Sequence, residues 1–237
     1  MYPNILNLHG DRGNLMALKH FADILGLKLE IIRHEGRGKP VDLSSQLLFF
    51  TPGELCSMPS LIAALLPQKD ALAEYLTKGG QIVAIGSSGA IFAQEIEFLE
   101  QGREPGLGFF DMVCKERSQV YGDDISFEID GEIQVLGNQI QVMDSFLSET
   151  QPAFGRLVYG HGNNGQGRDE GAQRGNLIFT NTLGPLLVKN PRLVLILLQK
   201  MANALELGLR LEFSPEDIEL EDNSARLINK FIAKKMP

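Results

Sequence analysis

The sequence predicts a three-layer α/β fold with a mostly parallel sheet and an antiparallel β insertion. Short apolar runs alternate with helical patterns through about the first hundred residues, and the run QIVAI has the continuous apolar character of a strand buried on both faces. The middle of the chain has short alternating runs separated by turn residues instead. With 237 residues, of which 43% are hydrophobic, the chain is long enough to bury a core without metal or disulfide support.

The first part of the chain alternates strand and helix patterns. Strands are predicted over residues 5–8, 28–33, 47–50 and 81–85, and helices over residues 15–25, 60–78 and 90–99. The pair Gly79-Gly80 ends the second helix, and Pro67 punctuates it. Strands that alternate with helices imply parallel pairing, with helices on both faces of the sheet.

The rest of the chain begins with the insertion. Short strands are predicted over residues 125–129, 132–136 and 139–143, followed by a Gly-rich loop over 159–171. A return strand over 176–180 and helices over 192–207 and 224–235 complete the pattern. No linker or repeat divides the sequence, so we expect a single domain over residues 1–237.

Composition and charge exclude several functional classes. Acidic residues outnumber basic ones by 30 to 22 and no basic cluster occurs, so the sequence lacks the footprint of a nucleic-acid-binding protein. No apolar run approaches the ~20 residues that span a bilayer, and the N-terminal residues lack a signal-peptide pattern. The two cysteines, Cys56 and Cys114, form no CxxC pair. We therefore expect a soluble cytoplasmic protein without membrane insertion, cofactor or metal site.

Reactive groups of parallel sheets gather beyond the carboxyl ends of the strands. There the run QIVAI leads through GSSGA into the next element, as in a nucleophile elbow. Ser88 has small residues two positions before and after it, and His9 or His161 is a candidate base, with Asp11 also at the sheet edge. A plain turn capped by Ser87 or Ser88 explains the same residues.

Several longer segments resemble one family. LNLHGDRGNLMAL, YGHGNNGQGRDEG and TNTLGPLLVKNPRL are similar to class I glutamine amidotransferases of the cobyric-acid-synthase type, and among these to the GatD glutaminase subunits of lipid II isoglutaminyl synthase. The resemblance covers nearly the whole chain and implies a flavodoxin-like three-layer fold. In this family a cysteine releases ammonia from glutamine, and a Mur-ligase-like partner uses it on a peptidoglycan precursor.

The family's catalytic positions hold different residues here. The resemblance places the nucleophilic cysteine at Gly86 and the basic histidine at Leu183, within the stretch TNTLGP. The loop that supplies an oxyanion donor contains Pro52, which has no N–H group. The resemblance also implies substrate-binding positions at Gly53, Ser87 and Gln119, the last where relatives carry an arginine.

These departures imply a degenerate subunit that has kept the fold and lost glutamine hydrolysis. Its expected role is to bind a Mur-ligase-like partner, glutamine or another small ligand in the remaining pocket, or both. Retention of the motifs for loop structure alone is the competing interpretation. Two enzymatic alternatives remain open at this point: a serine hydrolase that uses Ser88, and an active glutaminase that uses Cys56 or Cys114.

Overall fold

The computed structural model describes residues 1–8, 12–36 and 38–236. In chain order its regular elements are α1 (Arg12–Ile24), β1 (Leu47–Phe50), α2 (Met58–Leu65), α3 (Lys69–Thr77), β2 (Gln81–Ile85), β3 (Glu95–Phe98), β4 (Gly102–Pro105), β5 (Met112–Ile129), β6 (Ile133–Leu147), β7 (Gly155–Tyr159), β8 (Asp169–Glu170), β9 (Ala172–Arg174), β10 (Leu177–Thr180), α4 (Leu186–Lys189), α5 (Pro191–Ala204) and α6 (Glu219–Lys235).

The first sheet has four strands in the order β1-β2-β10-β9. Strands β1 and β10 both pair with β2 in parallel, and β9 pairs with β10 in antiparallel orientation. Successive residues of β1 face different cores: Phe50 packs with α2 and α3, whereas Phe49 packs with α1 and α5. Helices therefore cover both faces of a parallel-rich sheet, which confirms the predicted three-layer α/β class.

The second sheet has the strand order β4-β3-β5-β7-β8, with β6 paired to β5. Its centre is the hairpin of β5 and β6, which are 18 and 15 residues long. Asp130 and Gly131 form its turn, both with positive φ. The prediction of three short strands is wrong, because Gly137 continues β6 instead of ending it. A Cβ at Gly137 would lie 2.3 Å from Cγ2 of Thr182, so glycine here permits a close approach between the hairpin and the loop after β10.

Two strands predicted near the N-terminus do not form. Residues 5 and 6 lie in a turn in which both N–H groups bond to the carbonyl oxygen of Tyr2. Residues 28–33 are not part of any sheet, and in the described part of the chain they form no backbone–backbone hydrogen bond. The apolar pattern of residues 28–33 is that of a strand, but none of the described residues forms a strand beside it.

The predicted helix over residues 90–99 is also wrong. A 3₁₀ helix spans Gly86–Phe92 and is followed by β3. In β3 the residues alternate between partly exposed and buried, which is the period of a strand. The predicted helix over residues 60–78 forms as α2 and α3, separated by a 3₁₀ turn at Leu66–Gln68 that contains Pro67.

The remaining predicted helices and strands form close to their expected positions. Helices α1, α5 and α6 and strands β1, β2 and β10 match the sequence pattern, with shifts of a few residues at their ends. The Gly-rich loop contains the short strand β8, which pairs with β7. No helix in the described ranges has the length and apolar character needed to cross a bilayer.

Candidate functional site

Three loops meet at the carboxyl ends of β1, β2 and β10. They bring together Pro52, Gly86 and Leu183, which we call the elbow cleft. A Cβ built on Gly86 would lie 3.3 Å from Cδ2 of Leu183 and 3.4 Å from Cγ of Pro52. The positions that the resemblance assigns to nucleophile and base are therefore neighbours in space. The groups that meet there are a hydrogen atom, an isobutyl group and a pyrrolidine ring, and none of them can transfer a proton.

The backbone at Gly86 has the geometry of an elbow, a conformation that is strained for residues other than glycine. Its φ is +57°, in the left-handed region that glycine adopts without steric cost. A nucleophile at this turn would be held in that strained conformation, as in the strand-to-helix elbows of hydrolases. The elbow residue in this chain is thus Gly86, two positions before the alternative candidate Ser88.

Ser88 is buried and its hydroxyl is engaged by the backbone. The N–H group of Ile85 donates to Ser88 Oγ over 2.9 Å. The same oxygen lies 2.9 Å from the carbonyl oxygen of Ile85 and 3.0 Å from that of Phe50, so its proton also has a backbone acceptor. These contacts close the turn after β2, as expected of a capping residue. The candidate partners His9 and Asp11 lie outside the described residues.

Gly53 and Ser87, two predicted substrate-binding residues, contact each other. The N–H group of Gly53 donates to Ser87 Oγ over 3.1 Å, and this hydroxyl donates to the carbonyl oxygen of Gly53 over 2.5 Å. Of Pro52 and Gly53, only Gly53 has a backbone N–H group, and that group already donates to the Ser87 hydroxyl. An oxyanion at this position would have to displace the Ser87 hydroxyl to reach it.

Gln119, the third predicted substrate-binding residue, is exposed on an irregular stretch of β5 between Glu116 and Tyr121. Its carbonyl oxygen accepts a hydrogen bond from Arg117 Nε over 3.2 Å. The structure brings Gln119 close to Arg117 through this bond, and the side chain of Arg117 continues into a polar cluster.

That cluster consists of Arg117, Asp144 and His161, which sequence reasoning did not connect. Arg117 Nη1 lies 2.7 Å from Asp144 Oδ1, and His161 Nε2 lies 3.1 Å from the same oxygen. The ring of Tyr121 stacks on His161 at a centroid distance of 4.5 Å. The imidazole of His161 therefore contacts Asp144 through Nε2 and Tyr121 through the face of its ring. The three residues lie on β5, β6 and the Gly-rich loop, and no local motif joins them.

The two thiols are placed differently. Cys114 is buried in the core 3.9 Å from Ser145 Oγ, and burial raises the pKa of its thiol to about 12. It therefore remains protonated at neutral pH and is unsuited to nucleophilic attack. Cys56 is exposed on a 3₁₀ turn, with Sγ 3.7 Å from a carboxylate oxygen of Glu54. Among the residues that the structure describes, no group of three or more His, Cys, Asp and Glu side chains could hold a metal ion.

A second set of motif residues forms a buried network of hydrogen bonds, which we call the loop network and define as Asn163, Glu170, Thr180 and Asn181. Glu170 accepts from the hydroxyl of Thr180 over 2.6 Å and from the N–H and Nδ2 groups of Asn181 over 2.9 Å each. Asn163 Oδ1 accepts from Asn181 Nδ2 over 2.9 Å. The network fixes the Gly-rich loop against the end of β10, directly before the segment that carries Leu183.

Burial dominates the electrostatics of this network. Desolvation raises the pKa of the Glu170 carboxyl above its usual range, and the bonds from Asn181 and Thr180 counteract only part of that rise. Each donor around the carboxylate has a partner, so the group is held by complementary hydrogen bonds.

The TNTLGPLLVKNP segment is fixed to the rest of the protein by asparagines. Asn190 Nδ2 donates to the carbonyl oxygens of Leu136 and Leu186, over 2.7 Å in each case. Asn14 Oδ1 accepts from the N–H group of Leu187 over 2.7 Å. Asn138 and Leu183 exchange two backbone hydrogen bonds that join the hairpin to the elbow cleft. The motif residues therefore position the loops around the cleft.

Comparisons with known proteins agree with this architecture. No protein-family model matches the chain. The GatD subunit of lipid II isoglutaminyl synthase (glutamine-hydrolyzing) from Streptococcus pneumoniae is 27% identical over 196 residues, which cover 81% of this chain and 75% of the relative. The GatD subunit from Staphylococcus aureus is 28% identical over 222 residues, which cover 91% of this chain and 86% of the relative.

Solved structures support the same fold. A crystal structure of a glutamine amidotransferase aligns with a TM-score of 0.53 and 16% identity, covering 80% of this chain and 95% of the other. The structure of PurLQS from Thermotoga maritima aligns with a TM-score of 0.52 and 14% identity, covering 80% of this chain and 92% of the other. The chain is therefore a homologue of the GatD subunits over most of its length and has the fold of glutamine amidotransferases.

Proposed function

We propose that this chain is a GatD-like subunit that does not hydrolyse glutamine and acts by binding. The observation that carries the proposal is the elbow cleft, where the side chains of Leu183 and Pro52 lie 3.3 and 3.4 Å from the position that a Cβ on Gly86 would occupy. Glutaminase chemistry of this family needs a thiolate at one of these positions and an imidazole at another. Neither group is present, and apolar atoms fill the space between the two positions.

The energetic argument supports the same proposal. Loss of one member of a catalytic triad already reduces kcat by orders of magnitude, and the residual rate depends on the oxyanion hole and on substrate binding. Each oxyanion donor contributes about 2.7–4 kcal/mol to transition-state stabilisation. Pro52 offers no donor and the N–H group of Gly53 is bonded to Ser87, so the residual contribution is also reduced.

The binding role is supported by the motifs that remain. The loop network and the asparagines of the TNTLGPLLVKNP segment keep the loops in place although the catalytic residues are absent. The relatives are named as subunits, and we propose by resemblance that this chain binds a Mur-ligase-like protein in the cytoplasm during synthesis of peptidoglycan precursors. Glutamine or another small ligand is the proposed occupant, with Gly53 and Ser87 beside the cleft and Gln119 on β5 as the positions that the resemblance assigns to it.

The test measures ammonia release from glutamine by the purified chain, alone and with a Mur-ligase-like partner. We expect no release above the rate without enzyme, and pull-down of the partner by the same preparation. An active GatD subunit from Staphylococcus aureus serves as the positive control. Release at ordinary enzyme rates would contradict the proposal, and its loss in Cys56→Ser would then assign the reaction to that thiol.

Two further variants refine the test. The double substitution Gly86→Cys with Leu183→His supplies both missing groups. We nevertheless expect its rate of ammonia release to remain far below that of the positive control, because Pro52 still lacks an N–H group.

A fluorophosphonate probe should label neither the wild type nor Ser88→Ala, since the Ser88 hydroxyl is buried and bonded to the backbone. Labelling of the wild type alone would favour a serine hydrolase.

A further inference from the structure

Helix α6 carries a row of exposed apolar side chains, which we call the α6 stripe. It consists of Leu220, Leu227 and Phe231, which are 77%, 67% and 53% exposed. They lie seven and four residues apart along the helix, and this spacing places them on one side of it. Of the described apolar residues that form the two cores or pack against them, none belongs to the stripe. The stripe therefore has no apolar partner in the described part of the chain.

A different side of α6 contacts the rest of the protein. Ile232 is buried, and Asn229 exchanges side-chain hydrogen bonds with β6. Asp222 forms a salt bridge with α5, and Lys235 forms one with β5. These contacts lie at both ends and in the middle of the helix. They fix α6 on the protein and leave the stripe facing solvent.

The charges beside the stripe change sign along the helix. Glu216, in the 3₁₀ turn before α6, and Glu219, in its first turn, are exposed acidic residues. Lys230 and Lys234 are exposed basic residues in its second half. Within the described residues, none of these four side chains forms a salt bridge. Their order complements the helix macrodipole, which accounts for the charges but not for the exposed apolar stripe.

A second copy of α6 in antiparallel orientation matches both features at once. Leu220 of one copy then lies beside Phe231 of the other, with Leu227 of both copies near the two-fold axis. The acidic start of each helix faces the basic half of the other, whereas a parallel arrangement would place like charges together. Both copies use the same surface, as in the two-fold dimers that are the commonest oligomers.

We propose that two copies of this chain associate through their α6 stripes, packed antiparallel about a two-fold axis. Each copy contributes one helix of 17 residues, about 25 Å long. An interface of this size belongs to the weak and reversible class, so the dimer forms at micromolar concentrations. The stripe is not part of the elbow cleft, and the proposal does not depend on loss of glutaminase activity.

The test measures the mass of the whole chain by sedimentation velocity between about 1 and about 200 μM. We expect a concentration-dependent change from monomer to dimer. Leu227→Glu places a charge in the stripe and should raise the dissociation constant at least about ten-fold. Leu66→Glu, at a leucine of similar exposure (55%) between α2 and α3, should not change it. Circular dichroism melts show whether both variants keep the wild-type fold.

Two charge-reversed variants test the complementarity of the helices. Lys230→Glu with Lys234→Glu makes both halves of α6 acidic, and Glu216→Lys with Glu219→Lys makes both halves more basic. Each variant should be monomeric at concentrations at which the wild type is dimeric. An equimolar mixture of the two should restore the dimer, because unlike charges then face each other. A mixture that stays monomeric would contradict the proposed pairing.

Disulfide cross-linking in a Cys56→Ser background tests the orientation. An oxidised mixture of Leu220→Cys and Phe231→Cys should give a cross-linked dimer, and neither variant alone should. A wild type that stays monomeric at about 200 μM would overturn the proposal, even if Leu227→Glu prevented capture of a Mur-ligase-like protein, since the stripe would then belong to that partner. A dimer that persists in Leu227→Glu would place the contact elsewhere and would also overturn it.

Discussion

The elbow cleft and the loop network lie on adjoining loops but differ in character. The cleft is formed by apolar groups: Leu183 is buried, and it and Pro52 both lie beside the unsubstituted Gly86. The network is formed by buried polar groups, each with hydrogen-bond partners, around Glu170 and Asn181. Both regions contain motif segments that resemble the same family.

The loop network contains residues that hold loops in place, whereas the elbow cleft contains the positions that the resemblance assigns to catalysis. The polar motif residues of the network bond to one another, so their removal would disturb the fold whether or not a reaction takes place. Gly86 and Leu183, the positions that the resemblance assigns to catalysis, need no polar side chain for the structure, since Leu183 bonds to Asn138 through its backbone alone. The motifs that this chain retains are therefore explained by their structural role. Whether the chain can hydrolyse glutamine depends on the residues of the elbow cleft.

The largest expected effect is in the loop network. Glu170→Ala leaves the Thr180 hydroxyl and the backbone N–H group of Asn181 buried without their acceptor, while Asn181 Nδ2 keeps only Asn163 Oδ1. We expect a loss of about 3–5 kcal/mol in the free energy of unfolding, measured by urea denaturation. A loss below about 1 kcal/mol would show that the network does not hold the loops, and would remove the contrast between the two regions.

Glu170→Gln is the control for charge, and it yields a pH dependence. Because burial raises the folded-state pKa of Glu170, the folded state binds this proton more tightly than the unfolded state. The contribution of Glu170 to stability is therefore fully present below the unfolded pKa of about 4.3 and decreases as pH rises through the folded pKa. The stability of the wild type relative to Glu170→Gln should fall over that window, and a rise would contradict the assigned direction.

An intermediate effect is expected in the cleft. Leu183→Ala removes a buried isobutyl group from the core between the first sheet and helices α1 and α5, and should cost about 2–4 kcal/mol of unfolding free energy. The matched variant Leu183→Met keeps the volume and should cost less than about 1.5 kcal/mol. Equal losses in the two variants would mean that position 183 does not act as apolar packing.

The smallest effect concerns Gly86. Gly86→Ala places a Cβ in the left-handed region and within 3.3 Å of Leu183, and we expect a loss of about 1–2 kcal/mol. In the Leu183→Ala background the contact disappears, so the cost of Gly86→Ala should decrease by at least about 0.5 kcal/mol. Additive losses in this double-mutant cycle would show that the two positions are not in contact.

Much of the first sheet was predictable because its signals are local. The buried run of β2 and the helical pattern of α5 each specify one element without long-range information. The segment EIEF was assigned to a helix because the Gly/Ser turn before it imitates a helix start, although its own period is that of a strand. Residues 28–33 have a strand pattern, but a strand forms only where a neighbour lies alongside.

The proximity of Gly86 and Leu183 was predictable because each lies in a continuous motif shortly after a strand of the first sheet. Their catalytic assignment stays a prediction. The cluster of Arg117, Asp144 and His161 was missed because its members lie on three elements and meet only through the pairing of the long hairpin. The Ser87–Gly53 bonds likewise depend on two loops that approach each other in space.

The unpaired edge of β1 also affects how the protein behaves in solution. An apolar strand with free backbone groups is a template for copies of the same molecule, and natural proteins usually protect such edges with charges, prolines or covering segments. Between Leu47 and Phe50 none of these residue types occurs. Association of copies through this edge would make colloidal stability at high protein concentration depend on the four residues of β1.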